Sequence, residues 1–228
     1  DNDGGAVADD GNSDDRLACG VGAAATAGNT TALGTRSSAT GVQSSAIGHV
    51  ASASGFNSLA VGFGADASSG YAVAVGATSR ATGASSTSIG SDSTAAQEKA
   101  IAVGTHAYAN GARSIAMGSS ITDNPGDRGA TTAGDDAIAI GTDADANGSR
   151  ATAVGAFSSA AGASALAVGS DSSAVENAVA LGSAASAAGI ASTAMGAASE
   201  ASQFGSLAVG RRAQATGTRS VANGFYSD

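Results

Sequence analysis

A glycine that closes an alternating S-φ-A-φ stretch, φ being aliphatic, returns every fourteen residues, at Gly20, Gly34, Gly48, Gly62, Gly76, Gly90, Gly104 and Gly118. The series resumes at Gly141, Gly155 and Gly169 and again at Gly182, Gly196, Gly210 and Gly224, making fifteen copies with two breaks in register. Nine extra residues separate Gly118 from Gly141, and one is missing between Gly169 and Gly182. A fixed period of this kind marks a stacked array, in which each unit buries its apolar side against its neighbours.

Each unit is itself split. A second glycine often falls seven residues on, at Gly41, Gly55, Gly83, Gly111, Gly148, Gly162, Gly189 and Gly217, so each half reads G-x-x-[SA]-x-A-x. A period of seven suggests a coiled coil. Glycine at every seventh position excludes it, at roughly 1 kcal/mol each relative to Ala in a helix with no apolar seam to offset the cost. Alternation followed by glycine is a short strand ending in a tight turn. Each unit is therefore expected to be one coil of a two-stranded solenoid.

The columns distinguish the two strands, because successive side chains alternate between faces. In the second half the inward pair is small, as with Ser37 and Ala39, Ala51 and Ala53, Ala107 and Ala109, or Ala213 and Ala215, while the outward neighbours are mostly polar. In the first half the inward position of Ala60 is Ala in fourteen of fifteen copies, with Ser88 the exception. A coil lined only by Ala and Ser must be very flat, since larger inward side chains would overpack it. This explains a composition with 4% aromatic residues, no Trp, and Gly numbering 34. With 43% hydrophobic and 13% charged residues the chain is also unlike a disordered one.

The outward face of the first strand is apolar. One column holds Leu33, Ile47, Val61, Val75, Ile89, Val103, Met117, Ile140, Val154, Val168, Leu181, Met195 and Val209. Beside it stand Leu59, Val73, Ile101, Ile115, Ile138, Leu166, Val179 and Leu207. Stacked at the roughly 4.8 Å strand spacing, fifteen coils would form a stripe about 70 Å long. No other segment could cover it, so these residues are expected to form an interface, and a regular stripe favours identical chains around a symmetry axis. Burying about 500 Å² of it per chain would contribute about 12 kcal/mol before association costs.

Stretches such as NSLAVGFGADASSG and RSIAMGSS, with the pattern x-S-φ-A-φ-G-x-x-[SA]-x-A-x-G-x, resemble the YadA-like head of trimeric autotransporter adhesins over about residues 16–224. The resemblance implies an all-β fold, a left-handed parallel β-roll solenoid with two short strands per coil, assembled as a parallel homotrimer. It implies a place on the bacterial cell surface, held at the outer membrane by an anchor domain outside this chain. It also implies adhesion to host cells or extracellular matrix, with collagen, fibronectin and laminin as ligands in that family. The expected organisation is an acidic entry segment over residues 1–15, the roll over 16–224 and an exit toward a neck or stalk over 225–228. The chain is thus expected to be a head fragment.

Residues 119–133 interrupt the roll. Asn124, Pro125 and Gly126 are turn chemistry, and Asp123, Asn124, Asp127 and Arg128 are candidate ligand contacts on a projecting loop, to be weighed against a neutral surface insertion. Gln97 and Glu176 stand where the second glycine is expected, predicting altered turns. The entry segment carries Asp1, Asp3, Asp9, Asp10, Asp14 and Asp15 without the ligand spacing of a calcium loop, and no metal or cofactor is expected there or at Asp143 and Asp145. Arg211, Arg212 and Arg219 form a basic patch near the exit, read as a solvated turn surface or a docking site.

Nothing points to an enzyme. His49 and His106 follow repeat glycines in different coils, without a nucleophile or ligand partners at a useful spacing. Cys19, the one cysteine, falls in the apolar column and allows no internal disulfide. A net charge of −9 argues against nucleic acid, heparin-like chains or anionic membrane as the main partner. No apolar run reaches the eighteen or so residues of a membrane span. The hexapeptide acyltransferases, another left-handed solenoid class, have a conflicting period of six. An ice-binding solenoid needs a ladder of identical Thr, whereas Thr26, Thr40, Ser54, Ser68, Thr82, Ala96 and Asn110 are mixed. The expected function is a multivalent adhesive rod binding matrix proteins or cell-surface receptors; the alternative is a passive structural spacer, with ligand binding in other domains.

Overall fold

A computed structural model describes residues 15–120, 129–132 and 134–228. The expected ligand contacts Asp123, Asn124, Asp127 and Arg128, and the aspartates Asp1, Asp3, Asp9, Asp10 and Asp14, lie outside the described residues. The chain divides into two compact units, Asp1–Ala107 and Tyr108–Asp228. Each is a parallel β-solenoid, and among the described residues there is no helix.

In the first unit, three-residue strands such as Leu59–Val61 and Val73–Val75 form one parallel row, and two-residue strands such as Ser52–Ala53 and Asp66–Ala67 form a second. Pairing runs from each coil to the next with an offset of one repeat: Leu59 opposite Val73, Ala60 opposite Ala74 and Val61 opposite Val75. The second row keeps the same offset, with Ser52 opposite Asp66 and Ala53 opposite Ala67.

The second unit repeats this plan through both breaks. Ile115 pairs with Ile138 and Met117 with Ile140, while Tyr108 pairs with Thr131, so the nine extra residues leave both rows in register. At the missing residue Leu166 pairs with Val179 and Ser173 with Ser186. The deletion is absorbed in a turn. The amide of Ala178 donates to the carbonyl of Val175 (3.0 Å) and Asn177 takes the positive φ. Val175, rather than the expected Glu176, therefore occupies the glycine's place, because the lost residue is the outward one that normally precedes the turn. Gln97 does stand in that place, with the amide of Ala100 donating to its carbonyl (3.1 Å).

The interior of both units is two side chains thick and made of Ala with Ser or Thr. Ala60, Ala67, Ala139 and Ala146 are fully buried, as are Ser37, Ser114 and Thr132. Many inward serines follow a turn glycine by three residues and return their hydroxyl to its carbonyl: Ser37 to Gly34 (2.8 Å), Ser58 to Gly55 (2.7 Å), Ser114 to Gly111 (2.7 Å) and Ser158 to Gly155 (2.8 Å). The [SA] position of the repeat thus alternates between a methyl that fills the coil and a hydroxyl that satisfies itself locally. Ser88 meets Ser93 across the coil (2.7 Å), and the Thr132 hydroxyl donates to that of Ser114 (2.8 Å).

Glycine is required where coils come closest. At Gly62 φ is +132°, and a Cβ would lie 2.4 Å from the carbonyl oxygen of Gly76 in the next coil. At Gly55 a Cβ would lie 1.8 Å from the oxygen of Ser69.

Candidate functional site

Flat coils present two kinds of surface, the outward faces of the strand rows and the turns at their edges. On the first row the expected interface residues all point away from the Ala interior. In the first unit these are Leu33, Ile47, Leu59, Val61, Val73, Val75, Ile89, Ile101 and Val103, all partly or largely open to solvent. Leu33 and Ile89 retain 43% and 41% exposure, high for aliphatic side chains in such regular surroundings. In the second unit the same face carries Ile115, Met117, Ile138, Ile140, Val154, Leu166, Val168, Val179, Leu181, Met195, Leu207 and Val209. Cys19 lies exposed on this face, paired in register with Leu33. On the second row the outward residues are polar, including Ser38, Asp66, Arg80, Asp145 and Glu200.

The turns follow one rule that the sequence pattern does not reveal. The residue two places after each turn's start has positive φ, and in most coils it is not glycine: Arg36 (56°), Val50 (51°), Asn57 (54°), Tyr71 (61°), Asp136 (58°), Phe157 (57°) and Tyr226 (54°). The amide one residue further donates to the carbonyl that opens the turn, as Ser37 does to Gly34 (3.2 Å), which is type II turn geometry. Such a conformation costs a side-chain-bearing residue about 1–2 kcal/mol. Part of the compensation is visible in the ladder. The amide of each such residue donates to the preceding coil, Arg36 to Val21 (2.8 Å), Asn57 to Val42 (2.8 Å) and Arg150 to Asp135 (2.8 Å). The turns are therefore hydrogen-bonded rows of their own, from which side chains project.

Those projecting residues include most of the aromatic ones. Phe56, Phe63, Tyr71, Phe157, Phe204, Phe225 and Tyr226 are all exposed on turns. Rings meet from coil to coil, His49 stacking on Phe63 (centroids 5.4 Å apart) and Phe56 meeting Tyr71 edge-on (5.4 Å). His106 points its Nε2 toward Asp92 at 3.9 Å, and Asp92 also accepts from Thr78 (2.5 Å). Arg113 grips Asp136 with two hydrogen bonds (2.6 and 2.7 Å). That contact, together with the charges of Arg113 and Arg150, holds the Asp136 carboxyl below its ordinary value. Among the described residues no three His, Cys, Asp or Glu side chains converge as metal ligands would.

The long insertion leaves and re-enters the roll at one point. A Cβ on Gly129 would lie 2.7 Å from the carbonyl carbon of Ser119 and 2.8 Å from the amide nitrogen of Ser120, so the two stems press together. Ala130 is buried behind them.

The family model described as the YadA head domain repeat, in two copies, matches residues 18–37, 25–51, 53–79, 81–107, 95–120, 128–144, 133–158, 146–172, 176–199 and 201–227. The chain belongs to the YadA head family. The matches cover both units and stop at each break, leaving residues 121–127 and 173–175 unmatched, while the strand pairing within the second unit continues across both. No curated protein matches the chain significantly. A YadA-like head is a structural, adhesin-type domain of the trimeric autotransporter adhesins, and the family suggests exposure at a cell surface. Among the described residues no helix is long and apolar enough to cross a membrane.

Proposed function

We propose that this YadA-like head is the adhesive part of a homotrimer on the outer membrane of a bacterium, binding extracellular-matrix proteins or cell-surface receptors by many weak contacts. The observation that carries the reading is the division of each coil into an aliphatic first-row face and a polar second-row face over an Ala interior already filled. A face of half-exposed Leu, Ile, Val and Met is costly in water and is relieved when sister chains meet on it. The polar second row and the turns then remain outside, repeated in each subunit, where multivalency turns weak contacts into firm attachment. Asp123, Asn124, Asp127 and Arg128 are the proposed ligand contacts on the insertion.

Two measurements test this. Light scattering should give three times the chain mass of 21.1 kDa; a well-folded monomer would overturn the interface. Binding to collagen, fibronectin and laminin should then be detected and should weaken when residues 121–128 are replaced by a direct Ser120-to-Gly129 connection, which keeps the Thr131–Thr132 strand. A trimer that binds none of them would favour the spacer reading.

A further inference from the structure

We infer that the turn edge formed by Arg211, Arg212, Phe225 and Tyr226 is a binding site for sulfated polysaccharide, the acidic component of an extracellular matrix. This rests on the adhesin reading and names one ligand class for it.

The edge is built from two successive turns. Arg211 and Arg212 occupy the second and third places of one, Phe225 and Tyr226 the same places of the next, so each cation lies over a ring one coil away. The guanidinium of Arg211 is 5.7 Å from the centre of the Phe225 ring, and that of Arg212 is 5.2 Å from the Tyr226 ring. Arg212 also donates to the Tyr226 hydroxyl, and the two rings meet edge-on at 4.4 Å. Backbone fixes the arrangement, since the amide of Tyr226 donates to the carbonyl of Arg211 (3.1 Å) and both Arg212 and Tyr226 are held at positive φ.

All four side chains stay open, with Phe225 at 65% and Tyr226 at 53% exposure. Glu200 and Asp228, the carboxylates nearest in sequence, form no ion pair with either arginine. The preceding turn on this edge carries Ala197 and Ala198, and the one before it Ser183 and Ala184. The site is thus a local cationic edge on a chain whose net charge is −9. The overall charge argues against a polyanion as a partner for the whole surface, and this edge is where the local charge is reversed.

A guanidinium laid on a ring keeps its N–H edge free for an oxyanion while losing little side-chain freedom on binding. Two such groups side by side, next to two exposed rings, match a sugar that offers an apolar C–H face and a sulfate together. A surface-exposed adhesin meets such polymers outside the cell, which favours them over nucleic acid of the same charge.

The probe is heparin, captured on a sensor and titrated with the full 228-residue chain at several salt concentrations. The intact protein should bind, more weakly as salt rises. The double variant Arg211→Gln, Arg212→Gln should lose about tenfold in affinity and flatten the salt dependence. Gln is tolerated in this conformation, as Gln43 shows at 61°. A second variant, Phe225→Ala with Tyr226→Ala, should lose severalfold with both cations present, and Ala198 shows that Ala accepts the same φ. Unchanged heparin affinity in both variants overturns the inference. So does equal binding of desulfated heparin, of poly-glutamate or of single-stranded DNA. Collagen, fibronectin and laminin run in parallel separate the two readings. Heparin binding absent with matrix-protein binding intact overturns this site alone, whereas the reverse removes the matrix-protein ligands and leaves the site standing.

Discussion

The inner columns and the turn edges of this solenoid obey opposite rules. Inside, chemistry is narrow and conformation ordinary: Ala60, Ala74 and Ala102 sit in extended backbone, and size alone decides what fits. At the edges conformation is narrow and chemistry wide, so that Arg36, Val50, Tyr71, Lys99, Asp136 and Phe157 all share a positive φ that each would otherwise avoid. The interior is limited by the thickness of a coil, the edges by the path the chain must take to start the next one. Variation that serves recognition is therefore shut out of the inner columns and collects on the turn edges and on the outward side of the second row.

The largest break in that contrast should come from enlarging an inner position. Ala60→Leu places a branched side chain in a layer with no room and should cost about 3 kcal/mol, read as a lower urea midpoint. Next comes Gly62→Ala, where a Cβ would meet the Gly76 oxygen and φ would be strained. About 2 kcal/mol should be lost, with the interior untouched. Val50→Gly should run the other way. A β-branched residue at φ 51° is strained, and relieving it should raise stability by about 1 kcal/mol, whereas glycine at Val61 should lower it.

The smallest expected effect is electrostatic. Asp136 has a folded pKa below its ordinary 3.8, chiefly through its hydrogen bonds from Arg113. Its contribution is accordingly complete above the unfolded value and fades as pH falls through the lower folded one. Asp136→Asn should cost the same small amount at every pH above the unfolded value, since both partners are exposed, and the difference from the parent chain should vanish as pH falls through the folded one. A large loss at neutral pH would show that this edge bears on the frame.

The inner rule was legible in the sequence because it is written in residue type. Small side chains at alternate positions, and an aliphatic column beside them, define the coil, its register and the faces of Leu59 and Val61. Register survived both breaks for the same reason, the columns resuming in phase at Ile138 and Val179. The edge rule was hidden because it is written in backbone angle. Residues as different as Lys99 and Phe157 occupy the same bend, and no composition signals it. Glu176 was misplaced for that reason, its neighbours giving no sign of which residue opens the shortened turn. The pairing of Arg211 with Phe225 likewise needs the fourteen-residue offset to be read as distance in space.

The one-repeat offset in strand pairing has a genetic consequence. Since a coil meets only the coils before and after it, and those are near copies of itself, slippage between neighbouring repeats in the coding sequence can add or remove a whole coil and leave every remaining contact of the same type. A lineage could then alter how many binding edges it displays without first solving a new folding problem.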